Sequence, residues 1–496
     1  MRRWIATSVA TALASAIGLT AIGCQAAPST SGAPASTPST ADPRADSAQN
    51  VRLVGHHDLQ GRESLVVTTL SDPANGSWVY VGHHESYWDG KPKMNPITGK
   101  EEWNGTSILD VSDPRAPRYL AHVPGAPGDA EGGGASMVRV CDGRTLPRAD
   151  SAKTYLLRTL GPLAHEVWDV TEPSRPTRLT TVVSGLDHTH KNWWECDSGI
   201  AYLVSDGRPA GWRTKRMTKV YDLGDPARPR FVRDFGLPGQ EPGSSGPAPE
   251  GVHGPIAHRN RIYFAYGTGA RGVLQIVDRA RLLAGDPTSP APFAPTAANL
   301  RYPEVGRLEM APDWGGHTSF PVLGLTISEF LPNSKGVVRD FVVLVSESLR
   351  NECQEARQLT FLVDITTESK PFPVSTFQVP AGDFCARGGR FGPHSSNESF
   401  APIYYGKMVF IAYFNAGVRA VDIRDPFRPR EVGYFIPAVT ASTDRRCVDV
   451  GGVPRCKVAI QTNNVEVDER GLVYLADRAN TGLHIVEPTG PARGGS

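Results

Sequence analysis

Four histidines hold equivalent places in the sequence, and their chemistry is that of metal ligands. They begin the segments His190-Lys191-Asn192-Trp193, His253-Gly254-Pro255-Ile256, His317-Thr318-Ser319-Phe320 and His394-Ser395-Ser396-Asn397. Neutral imidazole is the commonest side-chain metal ligand and suits Fe, Cu and Zn. If the fold brings the four side chains together, they form a site for one of these transition metals. The alternative is that they form hydrogen bonds only to water and backbone.

A second group of histidines and carboxylates is expected on the same side of the molecule. Such groups can orient metal-bound imidazoles through hydrogen bonds, or they can line a ligand-binding face. The group consists of His56, His57, His83, His84, His188, Glu85, Glu250, Glu347 and Glu398. Taken one at a time, the carboxylates are equally typical of capped or solvated loops.

The elements that must position these residues are indicated by an internal repeat. An apolar run that ends in Asp is followed by a Pro-containing turn, as in Val167-Trp168-Asp169-Val170-Thr171-Glu172-Pro173. Asp accepts hydrogen bonds from nearby backbone N–H groups and Pro presets the turn, so the chain reverses there. The copies recur at roughly 55–65 residues, apart from one longer interval that contains the Ala/Pro-rich stretch 284–298. They end at Asp110, Asp169, Asp222, Asp278, Asp364, Asp422 and Glu487.

Seven copies with four short strands each predict an all-β fold, a seven-bladed β-propeller over residues 51–490. The last copy ends at Pro488 after three strands, and residues 51–57 look like the fourth strand of the other copies. We therefore expect the N-terminal strand, about 51–57, to complete the last blade and to leave no free sheet edge. The alternative is that 51–57 is an ordinary edge strand.

The repeat resembles that of the LVIVD-repeat family of bacterial and archaeal exported proteins. The resemblance is carried by strands such as Leu362-Val363-Asp364-Ile365 and Leu483-His484-Ile485-Val486-Glu487, and it covers about residues 51–490. It implies the propeller fold but no particular activity. A four-histidine metal on the axis would also be similar to the arrangement of carotenoid oxygenases, which is an analogy of architecture.

The N-terminal residues predict export and a lipid anchor. Basic Met1-Arg2-Arg3 and the apolar stretch from Trp4 to Gly23 have the pattern of a secretory signal. Ala21-Ile22-Gly23-Cys24 resembles the bacterial lipobox, which implies a signal peptide over 1–24, lipidation of Cys24 and an extracytoplasmic, membrane-anchored protein. An ordinary cleaved signal is the alternative.

Residues 25–50 are rich in Ala, Ser, Thr and Pro, and this composition predicts a disordered tether between the anchor and the propeller. Residues 491–496 are predicted to form a C-terminal tail.

Six cysteines remain besides Cys24, an even number that permits disulfides in an exported protein. The repeat suggests Cys447–Cys456 as a local clip, together with Cys141–Cys196 and Cys353–Cys385. The sequence does not fix the connectivity, and free buried thiols are the alternative.

Composition and motifs exclude several functions. With 40% hydrophobic and 21% charged residues the chain is neither wholly disordered nor a multi-span membrane protein. Lys+Arg (52) balances Asp+Glu (51), so no positive field attracts nucleic acid. The sequence holds no P-loop, nucleophile elbow, dinucleotide fingerprint or HExxH motif.

Two hypotheses for function remain. The first is a monomeric surface propeller that binds a small molecule or a surface protein through its histidine-rich face. The second is a metal-dependent oxidoreductase whose metal is held at the propeller axis by the four histidines. Metal content separates the two hypotheses.

Overall fold

The computed structural model describes residues 45–72, 74–86, 90–328 and 337–494. The predicted signal peptide, Cys24 and residues 25–44 of the predicted tether lie outside these residues. Within the described ranges the chain is all-β, with 33 strands and three short α-helices. None of the described helices is long and apolar enough to cross a membrane.

The first half of the chain forms strands β1 (Ala45–Gln49), β2 (Val51–His57), β3 (Ser64–Asp72), β4 (Gly76–His83), β5 (Lys93–Asn95), β6 (Lys100–Glu102), β7 (Gly105–Asp110), β8 (Arg118–Pro124), β9 (Val138–Asp142), β10 (Thr154–Leu160), β11 (Ala164–Asp169), β12 (Thr177–Val183), β13 (Thr189–Trp194), β14 (Ile200–Ser205), β15 (Met217–Asp222) and β16 (Arg230–Phe235).

The second half forms strands β17 (Val252–His258), β18 (Arg261–Tyr266), β19 (Val273–Asp278), β20 (Glu304–Glu309), β21 (Thr318–Thr326), β22 (Val338–Val345), β23 (Thr360–Asp364), β24 (Phe372–Phe377), β25 (Phe391–Ser396), β26 (Met408–Phe414), β27 (Val418–Asp422), β28 (Arg430–Pro437), β29 (Arg445–Val450), β30 (Val453–Val458), β31 (Thr462–Val467), β32 (Val473–Asp477) and β33 (Leu483–Pro488). The helices are α1 (Arg279–Ala284), α2 (Ala297–Arg301) and α3 (Phe384–Arg387), and 3-10 turns cover Leu59–Gly61, Ala130–Gly132, Arg208–Ala210 and Gly490–Arg493.

Most strands of the described chain belong to four-stranded antiparallel units. Five units are separate sheets, and two are runs within one nine-stranded sheet. In chain order they are unit I (β3-β4-β7-β8), unit II (β9-β10-β11-β12), unit III (β13-β14-β15-β16), unit IV (β17-β18-β19-β20), unit V (β21-β22-β23-β24), unit VI (β25-β26-β27-β28) and unit VII (β31-β32-β33-β2). The hairpins β5–β6 and β29–β30 are additions to this pattern.

The repeated Asp ends the third strand of its unit, as the turn chemistry predicts. Asp110 is the last residue of β7, and its Oδ1 accepts the N–H of Ser112 at 2.9 Å. Asp169 ends β11 and accepts the N–H of Thr171 at 3.1 Å. Because the side chain satisfies a backbone donor just beyond the strand, the ladder stops and the chain turns into the fourth strand.

The units contact one another in a cycle. Strand β3 contacts β9, β9 contacts β13, β13 contacts β17, β17 contacts β21, β21 contacts β25, β25 contacts β31, and β31 contacts β3. Buried apolar clusters lie between neighbouring units: Tyr202 of unit III shares one with Phe264 of unit IV, and Val81 of unit I shares another with Ile485 of unit VII. The core is therefore distributed between the sheets, where burial of apolar surface stabilises the fold.

Strands from near the two ends of the described chain meet in unit VII. Strand β2 pairs antiparallel with β33, with Val51 opposite Pro488 and His57 opposite Leu483. The predicted completion of the last four-stranded unit by residues 51–57 is thus confirmed. Just beyond β33, Ala492 in the region predicted as a tail is buried.

The predicted tether ends earlier than its composition indicates. Residues 45–49, assigned to the disordered segment, form β1, which pairs antiparallel with β28. Strand β28 would otherwise present unpaired backbone groups at the edge of its sheet, so the polar segment gains main-chain hydrogen bonds without burying much apolar surface. The prediction was wrong for these five residues because it weighed side-chain composition alone.

The three predicted disulfides are all present among the described cysteines. Cys141–Cys196 links the end of β9 in unit II to the residues after β13 in unit III. Cys353–Cys385 joins the segment between β22 and β23 to helix α3, 32 residues further along the chain. Cys447–Cys456 crosses the hairpin β29–β30.

Candidate metal centre

The four predicted ligand histidines lie on or beside the first strands of four consecutive units. His190 is on β13, His253 on β17 and His394 on β25, while His317 directly precedes β21. Because these strands contact one another in order, residues at matching positions meet although they are far apart in sequence.

A local irregularity in strand pairing orients three of these side chains. The pairing register shifts between Thr189 and Asn192, between Val252 and Gly254, and between Phe391 and Ser395. Each interval contains one of the histidines. Bulges of this kind rotate a side chain out of the regular alternation and recur beside functional sites.

The imidazoles form a continuous row. The Nε2 atoms of His190 and His253 lie 2.8 Å apart. The ring centroids of His253 and His317 are 3.6 Å apart, and those of His317 and His394 are 4.1 Å apart. The predicted convergence of the four rings is therefore present in the structure.

All four rings are buried, with exposed fractions of 1% for His190, 3% for His253 and His317, and 6% for His394. Burial holds the pKa of each ring well below 6.5, and neighbouring positive groups lower the pKa further. The rings are therefore neutral near pH 7, the state in which imidazole has a lone pair for a metal.

Two of the rings have a hydrogen-bond partner at Nδ1. His394 Nδ1–H donates to the carbonyl oxygen of Asn463, and His317 Nδ1 lies 2.8 Å from Thr318 Oγ1. Metal-binding histidines commonly donate their second ring nitrogen to a carbonyl or a similar acceptor. This arrangement leaves the Nε2 atoms of both rings to act as ligands.

A carboxylate joins the row. Glu347 follows β22, and one ligand atom from each of His253, His317 and Glu347 lies within 4.8 Å of the others. Its Oε1 is 3.6 Å from His394 Nε2 and accepts a hydrogen bond from Arg390 Nη1 at 3.0 Å. These three residues can hold a metal ion, so Glu347, predicted to support the ligands, lies among the ligand atoms.

The carboxyl group of Glu347 titrates near neutral pH. Burial raises the pKa of its carboxyl to about 7, although the charge of Arg390 opposes this shift. A cation bound at the site would favour the ionised carboxylate.

The row of histidines lines a small cavity of about 20 Å³. That volume is sufficient for one water-sized group. The lining residues are Leu65, Val66, Glu131, Met137, His190, Lys191, His253, His317, His394, Ser395 and Asn464.

Two of the predicted supporting residues lie close to the cavity but bind other partners. His188 accepts a hydrogen bond from Arg216 Nε at 3.0 Å, and its ring centroid is 6.3 Å from that of His190. Burial and Arg216 lower the pKa of His188 to about 4. Glu398 accepts hydrogen bonds from Lys191 and Arg139, so it neutralises buried cations and does not orient an imidazole.

His83, His84 and Glu85 belong to a different polar cluster at the end of β4. His83 Nε2 lies 2.8 Å from Ser107 Oγ, and His84 Nδ1–H donates to the carbonyl oxygen of Glu85 at 2.6 Å. Burial and the charge of Glu63 raise the pKa of Glu85 to about 7. These three residues do not line the histidine cavity.

His56, His57 and Glu250 also lie away from the cavity lining. The first two are part of the outer strand β2: His56 Nε2 is 2.7 Å from the carbonyl oxygen of Thr481, and His57 stacks on Tyr119. Glu250 is exposed. The predicted place of the two histidines just before an inner strand was wrong, because β2 extends through His57 and keeps both rings on the outer strand of unit VII. Glu250 does stand two residues before the first strand β17.

Sequence reasoning missed residues that surround Glu347. Glu131 lines the cavity and accepts a hydrogen bond from Arg478 Nη2, and Arg390 binds Glu347 directly. Neither Glu131 nor Arg390 stands at the position that the histidines repeat, so the repeat did not point to either residue. The one available signal was the run Glu131-Gly132-Gly133-Gly134, an acidic residue followed by three glycines.

Comparison with known proteins adds no relative. No protein-family model matches the chain, and no curated protein matches it in sequence.

Proposed function

We propose that this chain is an exported, seven-bladed β-propeller that binds a transition metal at its axis. The fold proposal is supported by the four-stranded units, by the cycle of contacts among their first strands and by the pairing of β2 with β33. The repeat also resembles that of the LVIVD-repeat family. In a closed ring of sheets the first strands surround the axis, so residues on them converge.

The observation that carries the metal proposal is a set of buried nitrogens that lack partners. Among the described residues, His317 Nε2, His253 Nδ1 and His190 Nδ1 have no hydrogen-bond partner. An unsatisfied buried polar atom costs about 1–3 kcal/mol, and three of them in one cavity need a ligand to compensate. Each neutral imidazole has one lone pair. A metal ion would therefore use the lone pair of His317 Nε2 and that of the Nδ1 atom on whichever of His190 and His253 donates its Nε2–H to the other, with His394 and Glu347 as further ligands.

Burial also distinguishes the two functional hypotheses. A surface that binds another protein through histidines must expose them, whereas these four rings are at least nine-tenths buried. A small ion fits the cavity, and a protein side chain does not. The structure therefore favours metal binding over a histidine-rich protein-binding face.

A metal-dependent oxidoreductase is the second candidate function. Its specific support is the group His253, His317 and Glu347, because two imidazoles and a carboxylate are the donor set of many non-haem Fe(II) oxygenases. Imidazole-rich sites also bind Cu and Zn. We therefore propose Fe, Cu or Zn as the bound metal.

The proposed location is the extracytoplasmic face of a membrane, with Cys24 as the lipid attachment. The three disulfides support an oxidising compartment, because such bonds persist mainly in exported proteins.

Elemental analysis of the purified full-length protein tests the metal proposal. We expect one equivalent of Fe, Cu or Zn in the wild type and its loss in His253→Ala and His317→Ala. His165→Ala is the matched control, because His165 is also fully buried but lies on β11 away from the cavity. A folded wild type that takes up no metal after reconstitution, or full metal in both ligand variants, would contradict the proposal.

A further inference from the structure

The histidine row defines one side of the molecule. Because the four rings near the starts of β13, β17, β21 and β25 lie against one another, these strand starts lie together. In an antiparallel unit the second and fourth strands end where the first strand begins. The connections from second to third strands, and those from one unit to the next, therefore lie on this side, which we call the cavity side.

Two hairpins that are additional to the four-stranded units lie on the cavity side. Hairpin β5–β6 connects the second and third strands of unit I, and hairpin β29–β30 connects unit VI to unit VII. Met94 and Ile97 of the first hairpin are 53% and 54% exposed, and Val450 and Val453 of the second are 51% and 65% exposed. Hairpin turns are normally built from Gly, Pro, Asn, Asp and Ser, so exposed apolar side chains at both tips require a physical reason.

Other exposed apolar side chains share this side. Leu163 lies between β10 and β11, Leu349 lies between β22 and β23, and Val439 and Val458 lie between β28 and β31. Together with the hairpin tips they account for eight of the twelve large apolar residues that are exposed in the described chain. A single exposed apolar residue is ordinary, but a concentration of them on one side marks an interaction surface.

Hairpin β29–β30 is held in a fixed position. Val450 and Val453 pair with each other at its tip, and the disulfide Cys447–Cys456 crosses its two strands. The hairpin is also bound to the loop that follows β22, where Asn351 Nδ2 donates to the carbonyl oxygen of Cys447 at 2.9 Å. The two valines are therefore presented in a fixed orientation, and covering them requires a partner.

The chain that leads back to the predicted lipid anchor begins on the same side. Strand β1 pairs antiparallel with the fourth strand β28, with Ala45 opposite the last residue of β28. Asp46 lines a cleft of about 170 Å³ together with Val439 and Val458, at the base of hairpin β29–β30. The segment that joins Cys24 to β1 is therefore attached to the molecule beside the exposed valines.

We infer that the cavity side docks on the surface of a lipid bilayer, with the tips of both hairpins inserted at the headgroup level. The inference rests on the proposed location, because the lipid at Cys24 brings this side of the molecule to the membrane. The position of β1 favours a bilayer as the partner, since the chain from the lipid reaches the molecule next to the valines. Apolar area buried at the interface adds to the membrane affinity of the acyl chains.

A polarity-sensitive fluorophore on introduced cysteines tests the inference, with the full-length protein in phosphatidylcholine vesicles. The six described cysteines are paired in disulfides, so the introduced thiol reacts. Relative to the unfolded protein, we expect probes at Val450→Cys and Val453→Cys to emit at shorter wavelength and several-fold more strongly. Val338→Cys and Phe372→Cys are the matched controls: these residues are 54% and 66% exposed and begin the second and fourth strands of unit V, on the opposite side. Probes there should emit as in water.

Equal emission at the two valines and at the two control positions would overturn the inference. A shift at Val450 and Val453 that disappears when the protein is diluted among excess vesicles would also overturn it, because a second copy of the chain would then be the partner. If the cysteine variants of hairpin β29–β30 do not fold, Ile97→Cys on hairpin β5–β6 gives the same comparison.

The unaltered wild type separates this inference from the proposed location. It should not react with the fluorophore, since the lipid blocks Cys24; an unreactive wild type without the emission difference would keep the location and remove the inference. If Cys24 reacts, the proposed attachment fails, and flotation of Cys24→Ser protein with the same vesicles decides the inference. Flotation that is lost on adding Val450→Ser and Val453→Ser keeps it, whereas unchanged flotation or none overturns it.

Discussion

The Nε2 atoms of His190 and His253 lie 2.8 Å apart, although the two residues are on different units and 63 residues apart in sequence. In the metal-free protein one Nε2–H must donate to the lone pair of the other. Each neutral imidazole has one N–H and one lone pair, so the ring that donates its Nε2–H keeps a lone pair at Nδ1 that has no partner in the described chain. A metal can bind that Nδ1 without breaking the hydrogen bond between the two rings.

Thr318 is predicted to contribute to metal affinity without touching the metal. Its Oγ1 accepts the Nδ1–H of His317, at 2.8 Å, when Nε2 acts as a ligand. Since loss of such a partner typically costs 10–100-fold in affinity, we expect Thr318→Val to raise the metal Kd by about 10-fold, as measured by competition with a chelator.

Thr218→Val is the control for that variant. Thr218 is a buried threonine of β15 whose Oγ1 has no hydrogen-bond partner in the described chain. It should leave the metal Kd unchanged, and an equal loss of affinity in both variants would show that the effect is structural.

The sequence predicts the strands and the histidine row because both follow from the repeat. Each Asp turn fixes where a third strand ends, and matching positions on successive first strands must meet. Glu347 was predicted on this side of the molecule but not among the ligand atoms, and Glu131 was not predicted, because neither stands at the position that the histidines repeat. Glu398 was predicted to support the imidazoles, but it stands four residues after His394, about 13 Å further along an extended chain. It therefore meets Lys191, which lines the cavity, and not an imidazole.

Glu398 is predicted to be essential to stability rather than to metal binding. It accepts hydrogen bonds from Lys191 and Arg139, and Lys191 and Glu398 are each 5% exposed. Glu398→Gln removes the only carboxylate that accepts hydrogen bonds from these two cations among the described residues and leaves Glu466 as the nearby negative group. Because the pair is buried, we expect a loss of about 3–5 kcal/mol in the free energy of unfolding. Chemical denaturation measures this loss.

A surface ion pair provides the comparison. Glu172 pairs with Arg175, and their side chains are 54% and 79% exposed. Glu172→Gln should change the free energy of unfolding by about 1 kcal/mol or less. If Glu398→Gln changed the free energy of unfolding as little as Glu172→Gln, the network of Lys191 and Arg139 would not stabilise the fold.

The disulfides are predicted to differ in their contribution to stability. Cys141–Cys196 closes a loop of 55 residues and Cys447–Cys456 one of 9 residues. Constraint of the unfolded chain gives about 4 kcal/mol for the longer loop and about 2.5 kcal/mol for the shorter one. We expect replacement of Cys141 and Cys196 by Ala to lower the denaturation midpoint further than the same change at Cys447 and Cys456. The reverse order would refute the entropic explanation for this protein.

Glu85 is predicted to destabilise the folded protein at high pH. Burial and the charge of Glu63 raise the pKa of its carboxyl from 4.5 to about 7. The folded state therefore binds this proton more tightly than the unfolded state does, and stability falls as pH rises from about 4.5 to about 7. The amide of Glu85→Gln resembles the protonated carboxyl and can still accept the N–H of Asn104, which Glu85 Oε1 accepts at 3.1 Å.

We expect Glu85→Gln to match the wild type in free energy of unfolding near pH 4.5 and to exceed it by about 3 kcal/mol at pH 8. Glu101→Gln, at an exposed position on β6, removes the same charge and should follow the wild type at both values. Denaturation curves at the two pH values measure the difference. Only a proton lost between pH 4.5 and 8 can make the free energies of unfolding of the two proteins diverge over this range. A difference in free energy of unfolding that stays constant with pH would therefore show that the Glu85 carboxyl does not hold a proton in the folded state.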